Sequence, residues 1–217
     1  KYISKIYISA RKNNENFSNH KIFDTKLLWE NKDDISSLKS LLLFGLRGTA
    51  AYAYHSWVLG YSDDEMNNFF IKALKSLGEN LSTNQYISLV LECGKINLRA
   101  MALLDKANTE TFGKPLPTDV TMRIEKGPFI VVSGHDLKDL YELLEQTKNT
   151  GINVYTHGEM LPAHGYPAFK AFPHFKGHFG TAWQNQQKEF DYLPAPILFT
   201  TNCLMPPKSS YADRVYT

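Results

Sequence analysis

Apolar and polar residues follow two different periods along this chain. From Asp33 to Leu104 the apolar positions recur at helical spacing. Asp33 or Asp34 is placed to cap a first helix running to Leu59, with Gly60 as its stop. Its middle, Leu41-Leu-Leu-Phe-Gly-Leu46, is apolar on almost every face, which predicts burial all round. Gly45, Gly48, Ala50, Ala51 and Ala53 leave room for a close neighbour. A second helix opens with the capping box Ser62-Asp-Asp-Glu65 and carries Met66, Phe69, Phe70, Ala73, Leu74 and Leu77 before Gly78. A third opens at Ser82, with Gln85 three residues on, and keeps apolar positions at Ile87, Val90, Leu91, Leu98, Met101 and Leu104. Long amphipathic helices with short connections predict an antiparallel bundle. Ahead of them, Ile3, Ile6, Tyr7 and Ala10 have the spacing of a short helix, followed by the polar loop Asn13 to Asn19.

Ala107 to Asp119 holds Gly113, Pro115 and Pro117 with few apolar residues, and reads as the domain boundary. Beyond it the pattern becomes that of strands. Phe129-Ile-Val-Val132, Ile152-Asn-Val-Tyr155 and Pro196-Ile-Leu-Phe-Thr200 are short β-branched and aromatic runs bounded by Gly and Pro. Between the first two, Asp136 to Lys148 carries Leu137, Leu140, Leu143 and Leu144 at helical spacing and stops at Gly151. Strand, helix, strand at this length predicts a βαβ unit with parallel strands. Met160 to Thr181, with His164, Phe169, Phe172, His174, Phe175 and His178, reads as a long functional loop or a cover for the sheet edge. Ala182 to Phe190 reads as a helix with Trp183 and Phe190 facing inward. The fold class is therefore α plus α/β. A partial helical bundle (residues 1–117) is followed by a parallel-sheet, Rossmann-like α/β domain (residues 118–217) cut short at its C-terminal side.

The apolar runs stop at chemically capable residues. Ser-Gly-His135-Asp follows the first, Thr-His157-Gly-Glu159 the second and Thr-Asn-Cys203 the third. In an open parallel sheet, ligands bind beyond the carboxyl ends of the strands. His135, His157, Glu159 and Cys203 would then share one edge, and an imidazole, a carboxylate and a thiol there make a candidate metal site. Thiolate favours iron, iron–sulfur or zinc, and carboxylate oxygen suits iron better than copper(I). Each residue alone also has a plain structural reading. A strand-end His is commonly a hydrogen-bonded cap, and a single Cys a small buried hydrophobe. The same structural reading is preferred for His55 and Cys93 within the helices. For Arg47 and Arg99 a solvated face or a salt bridge is preferred over a cofactor contact.

Composition narrows the class. In 217 residues, 13% aromatic and 21% charged content is that of a packed domain, and a net charge of +2 gives no reason to expect nucleic acid or an anionic membrane as partner. There is no long apolar run and no signal peptide pattern, so a soluble chain is expected. Two cysteines are no disulfide framework and fit a reducing, cytoplasmic compartment. A start at Lys1 and an end at Tyr216-Thr217 suggest a piece of something longer.

Longer motifs carry a resemblance. Ser133-Gly-His135-Asp-Leu-Lys-Asp139, Tyr155-Thr-His-Gly-Glu159-Met-Leu-Pro-Ala-His164-Gly165, Ala182-Trp-Gln-Asn-Gln-Gln-Lys188 and Thr201-Asn-Cys203-Leu-Met-Pro-Pro-Lys208 resemble the hybrid cluster protein family, also called prismane proteins or hydroxylamine reductases. Leu38-Lys-Ser-Leu-Leu-Leu-Phe-Gly-Leu46 and Ala100-Met-Ala-Leu-Leu-Asp-Lys-Ala-Asn-Thr109 are similar to it as well. The resemblance spans Asp33 to Thr217.

It implies a helical domain and two α/β domains, a hybrid 4Fe-2O-2S cluster, and His135, Glu159 and Cys203 as three of its ligands. The strand-end argument reaches the same three but leaves His157 open beside them. The remaining ligands, further cysteines and a second Glu, would come from a C-terminal domain, and a second iron–sulfur cluster from N-terminal cysteines this chain lacks. The implied activity is reduction of hydroxylamine to ammonia, or of nitric oxide, with a redox partner supplying electrons. His157 and His164 are candidates for proton delivery, or hold loops by hydrogen bonds. A carbon monoxide dehydrogenase fragment fits the motifs less well. A zinc-dependent hydrolase using the same three ligands, or a chain that stays metal-free and inert alone, are the alternatives.

Overall fold

A computed structural model describes residue 24 and residues 26–217; the helix expected around Ile3 to Ala10 lies outside them. The chain forms two compact units that divide between Ala107 and Asn108, ahead of the boundary expected at Pro117.

In the first unit α1 (Leu27–Glu30) precedes α2 (Asp34–Val58) and α3 (Asp64–Ser76). α4 (Thr83–Phe112) continues through part of the stretch read as linker. The caps follow side-chain chemistry. The Asp33 carboxylate accepts the Ser36 amide at 2.9 Å, and both the amide and the hydroxyl of Ser82 donate to Gln85 Oε1 at 2.9 Å. α3 is capped by Asp63 rather than Ser62, accepting the Met66 amide at 2.9 Å. Asp63 also takes Arg99 Nε at 2.6 Å, so Arg99 serves a salt bridge.

The core joins Leu42, Leu46 and Ala53 to Met66, Phe69, Phe70 and Ala73 and to Tyr86, Cys93, Ile96 and Ala100. Burial raises the pKa of the Cys93 thiol, which is a core residue. The expectation that Leu41 to Leu46 is buried all round does not hold. Leu41 and Phe44 are 55% and 51% exposed, because the core lies on one side of α2.

The second unit is a five-stranded parallel sheet in the order β3-β2-β1-β4-β5. The strands are β1 (Phe129–Ser133), β2 (Asn153–His157), β3 (Phe175–His178), β4 (Ile197–Phe199) and β5 (Val215–Tyr216). α5 (Leu137–Thr147) crosses between β1 and β2 and buries Leu140 and Leu144. β3 and β5 were not expected. β3 reads Phe-Lys-Gly-His and β5 has two residues, and strands at a sheet edge need no continuous apolar run. The helix expected over Ala182–Phe190 is broken into a 3-10 turn (Trp183–Asn185) and α6 (Gln186–Glu189). Phe190 is buried as expected, but Trp183 is 39% exposed. Among the described residues no helix is long and apolar enough to cross a membrane.

His164 belongs to the core. It stacks on Phe175 with ring centroids 4.0 Å apart, and its Nε2 lies 2.9 Å from Thr156 Oγ1. The same hydroxyl lies 2.9 Å from Nδ1 of His178. Burial, aided by His178, lowers the His164 pKa from 6.5 to about 4.

Two measurements test these cores. The unfolded chain takes a proton at His164 as pH falls through about 6.5, whereas the folded chain does so only near 4. Stability is therefore present above 6.5 and lost between these values, by about 3 kcal/mol in all. His164→Gln should flatten that part of the profile of urea midpoint against pH. In the helical unit the Tyr86 hydroxyl lies 2.7 Å from the Ser76 carbonyl and 2.8 Å from that of Glu79, at the end of α3. Tyr86→Phe leaves a buried carbonyl short of a donor and should cost about 1–3 kcal/mol in urea unfolding of that unit.

Candidate metal centre

Strand register puts the candidate residues at one level. Ser133 of β1 pairs with His157 of β2, and His135 and Glu159 each follow two residues later. Ser133 also pairs with Phe199 of β4, and Cys203 follows that strand. β2 and β3 lie on one side of β1, β4 and β5 on the other, so the β1–β4 gap is the point where chain order reverses and a crevice opens. His135 and Cys203 come from the two strands that flank it. One donor atom each from His135, Glu159 and Cys203 lies within 4.8 Å of the others.

His135 is fixed from behind by Thr201. Thr201 Oγ1 accepts the His135 amide at 2.8 Å and lies 2.9 Å from its Nδ1, which leaves Nε2 facing Glu159 Oε2 at 2.5 Å. The turn permitting this is Gly134, at φ +119°. A side chain there would meet Thr200 Oγ1 and come within 2.8 Å of the Thr201 amide. Cys203 has φ +64°, a left-handed conformation costing a non-glycine residue roughly 1 kcal/mol. Its carbonyl accepts Gln186 Nε2 at 2.6 Å, and Gln186 Oε1 accepts the Met205 amide at 2.8 Å. Burial and then the Glu159 charge raise the Cys203 thiol pKa, so without a cation the thiol form is favoured.

His157 is adjacent but turned into the core. It is fully buried, with Nδ1 3.2 Å from Ser133 Oγ and Nε2 2.9 Å from Glu189 Oε2. Burial lowers its pKa despite Glu189. Burial opposes ionisation of Glu189, but hydrogen bonds from Thr181 and His157 outweigh it and hold the carboxyl below its ordinary value. The pair is therefore a neutral imidazole donating to a carboxylate. With both ring nitrogens engaged and no exposed surface, His157 is not placed to pass a proton to a substrate. His164 and His178 share Thr156, and His174 Nε2 lies 3.0 Å from Thr147 Oγ1 at the end of α5. Of the strand-end residues, the structure thus brings His135, Glu159 and Cys203 together and sets His157 aside.

Sequence reasoning did not single out Thr201, Gln186 or Glu189. Thr201 adjoins the Cys203 motif, where a hydroxyl two residues from a ligand was an available signal. Gln186 lies within the Ala182–Lys188 motif that carries the resemblance, though a polar residue on a short helix reads as surface, and Glu189 just beyond it carried no signal.

The donor set fits iron. One imidazole nitrogen, one carboxylate oxygen and one thiol sulfur mix hard and soft ligands as iron tolerates. An iron–sulfur cluster takes about four protein ligands, so these three would supply part of such a set. The Thr201 hydroxyl suits either state of His135. It can donate to a bare Nδ1 while Nε2–H faces Glu159, or accept from Nδ1–H while Nε2 is free to ligate.

Over 186 residues, 85% of its length, the chain is 58% identical to a hydroxylamine reductase of Caldanaerobacter subterraneus and 57% identical to one of Thermoanaerobacter pseudethanolicus. Over 186 residues it is 52% identical to a hydroxylamine reductase of Methanosarcina mazei. In each case the aligned part is 34% of the relative, so the chain spans about a third of the length of the curated relatives it matches. The profile of the Prismane/CO dehydrogenase family matches residues 4–217. The chain belongs to the Prismane/CO dehydrogenase family.

Proposed function

We propose that these residues form the His–Glu–Cys part of the catalytic centre of an iron–sulfur oxidoreductase. That enzyme reduces small nitrogen–oxygen species, hydroxylamine to ammonia or alternatively nitric oxide, at a hybrid 4Fe-2O-2S cluster. The observation that carries this reading is the convergence of His135, Glu159 and Cys203 within 4.8 Å at the reversal point of a parallel sheet. The names of the relatives point to hydroxylamine as substrate. The further ligands, the second iron–sulfur cluster and the surface for a redox partner would lie in polypeptide beyond these residues. Both cysteines are free thiols, consistent with a reducing, cytoplasmic setting.

When bound, the cluster supplies electrons and Lewis-acid iron to the N–O bond. Reduction of hydroxylamine takes two electrons from the redox partner and two protons, and yields ammonia and water. The chain's residues prepare the place for it. Cys203 gives its thiol proton to solvent on ligating, and its left-handed backbone aims the sulfur at the site. His135 offers Nε2 while Thr201 holds Nδ1. Glu159, whose Oε2 meets His135 Nε2, would hold the iron through a carboxylate oxygen in place of that hydrogen bond.

Iron, zinc and acid-labile sulfide in the chain purified without oxygen, beside Cys203→Ala, test the donor set. Iron with sulfide in the chain, lost in the variant, would mean that the three donors nucleate a cluster by themselves. Zinc without sulfide would instead indicate the hydrolase chemistry, and no metal in either would mean that these three donors do not hold a centre alone. In a polypeptide carrying the whole ligand set, Glu159→Ala should lower hydroxylamine turnover at least tenfold, which is about the loss seen when groups merely supporting ligands are removed. Thr201→Val should weaken metal uptake about 10- to 100-fold with the fold intact by circular dichroism, and Thr201→Ser should restore it.

A further inference from the structure

We propose that Gln186 and Glu189, on the short helix α6, are positioning residues that clasp the three ligand-bearing loops into one assembly. Gln186 holds the backbone of Cys203, and Glu189, through His157, holds the strand ends that carry His135 and Glu159. The inference rests on the metal-site reading above and assigns a role to side chains that touch none of the three donor atoms.

The clasp runs without a break through one unit. Gln186 is fully buried and spends both ends of its amide on the Cys203 loop, donating to the Cys203 carbonyl at 2.6 Å and accepting the Met205 amide at 2.8 Å. Gln187 adds a bond from Nε2 to the Pro206 carbonyl at 2.7 Å. These contacts hold the backbone from Cys203, the residue with the left-handed conformation, to Pro206. That conformation is unfavourable for cysteine, and bonds at its own carbonyl and the residues after it oppose its relaxation. Three residues on, Glu189 Oε2 accepts from His157 Nε2 at 2.9 Å and from the Thr181 amide at 3.0 Å, while Oε1 accepts the Thr181 hydroxyl at 2.5 Å. Gly180 leaves room for this carboxylate, since a side chain there would come within 2.6 Å of Glu189 Oε2. His157 passes the constraint on, its Nδ1 facing Ser133 Oγ at 3.2 Å. Ser133 and His157 are register partners, and each lies two residues before a candidate ligand.

A polar residue so engaged could serve stability alone. The division of labour separates the two roles. Among the described residues, the side-chain hydrogen bonds of Gln186 go to the thiol-bearing loop and those of Glu189 to His157 and Thr181. Loss of each should therefore damage a different ligand, whereas a purely structural role would lower stability without that difference.

The test uses cobalt(II) as probe, titrated into the full chain, with the sulfur-to-cobalt charge-transfer band reporting the Cys203 bond and unfolding temperature reporting the fold. Gln186→Leu is expected to weaken cobalt(II) affinity about 10- to 100-fold and to diminish the charge-transfer band. Glu189→Leu is expected to weaken affinity to a similar degree but to keep that band in the cobalt-saturated chain. Gln186→Glu and Glu189→Gln preserve shape and part of the bonding, so they should fold and lie between the wild-type chain and the Leu variants. Wild-type affinity and spectrum in folded variants of both positions would overturn the clasp, as would equal loss of the band in both. If the wild-type chain binds no cobalt(II), the three donors do not hold this metal without the rest of the ligand set. The clasp is then judged by alkylation of Cys203 relative to buried Cys93 in the metal-free chain. Faster alkylation of Cys203 in Gln186→Leu but not in Glu189→Leu supports it, and unchanged rates in both overturn it.

Discussion

The pairing of Ser133 with His157 on one side and Phe199 on the other is the constraint on which the second unit depends. Parallel strands carry side chains on alternate faces, and a shift of one residue would send every one of them to the opposite face. With the register fixed, the residues two beyond Ser133 and two beyond His157 emerge side by side. The loop after β4 then needs only a tight turn to bring Cys203 to them. Val131, Ile197 and Phe199 hold that register by packing with Phe190 and Tyr211. The apolar core and the polar site are thus consequences of one alignment.

Much of this was legible in the sequence, and for physical reasons. Strands buried on both faces must be apolar throughout, so β1, β2 and β4 stood out as runs of Val, Ile, Phe and Tyr. The brackets of Asp, Ser, Gly and Gln around the long helices follow from unsatisfied backbone groups at helix ends, and they located both ends of α2 and α3 and the start of α4 to within a residue or two, while α4 runs on past Leu104 to Phe112. The candidate ligands were readable because strand ends in a parallel sheet leave few other places for function. What escaped was whatever depends on contacts distant in sequence. β3 is recruited by the edge of β2, and its Lys-Gly-His composition gives no hint of a strand. His157 and Glu159 stand two residues apart with similar credentials, and what separates them is the end of β2 at His157, where left-handed Gly158 and a 3-10 helix leave His157 in the core and carry Glu159 to His135. The exposure of Leu41 and Phe44 depends on which side of α2 meets its neighbours, a matter on which an apolar run is silent.

The histidines illustrate how one residue type is used in different ways within a single sheet. His164 and His178 share the Thr156 hydroxyl beneath Phe175, and His164 is kept neutral by burial. His157 is neutral too, but it is tied to an ionised Glu189 on one side and faces Ser133 on the other. His135, at the sheet's outer end, is the one whose Nε2 meets another candidate ligand. The gradation runs from core to rim, and each ring's chemistry follows from how much water and which hydrogen-bond partner it retains.

The bond between His135 and Glu159 gives the centre a resting state of its own. A hydrogen fills the gap that a cation would fill, and Thr201 can serve either occupant by turning its hydroxyl. His135 and Glu159, which leave two different strands, are thus tied by a single shared proton. A cation taken between them would have to displace that proton, so occupancy of the gap would compete with acidity rather than with packing.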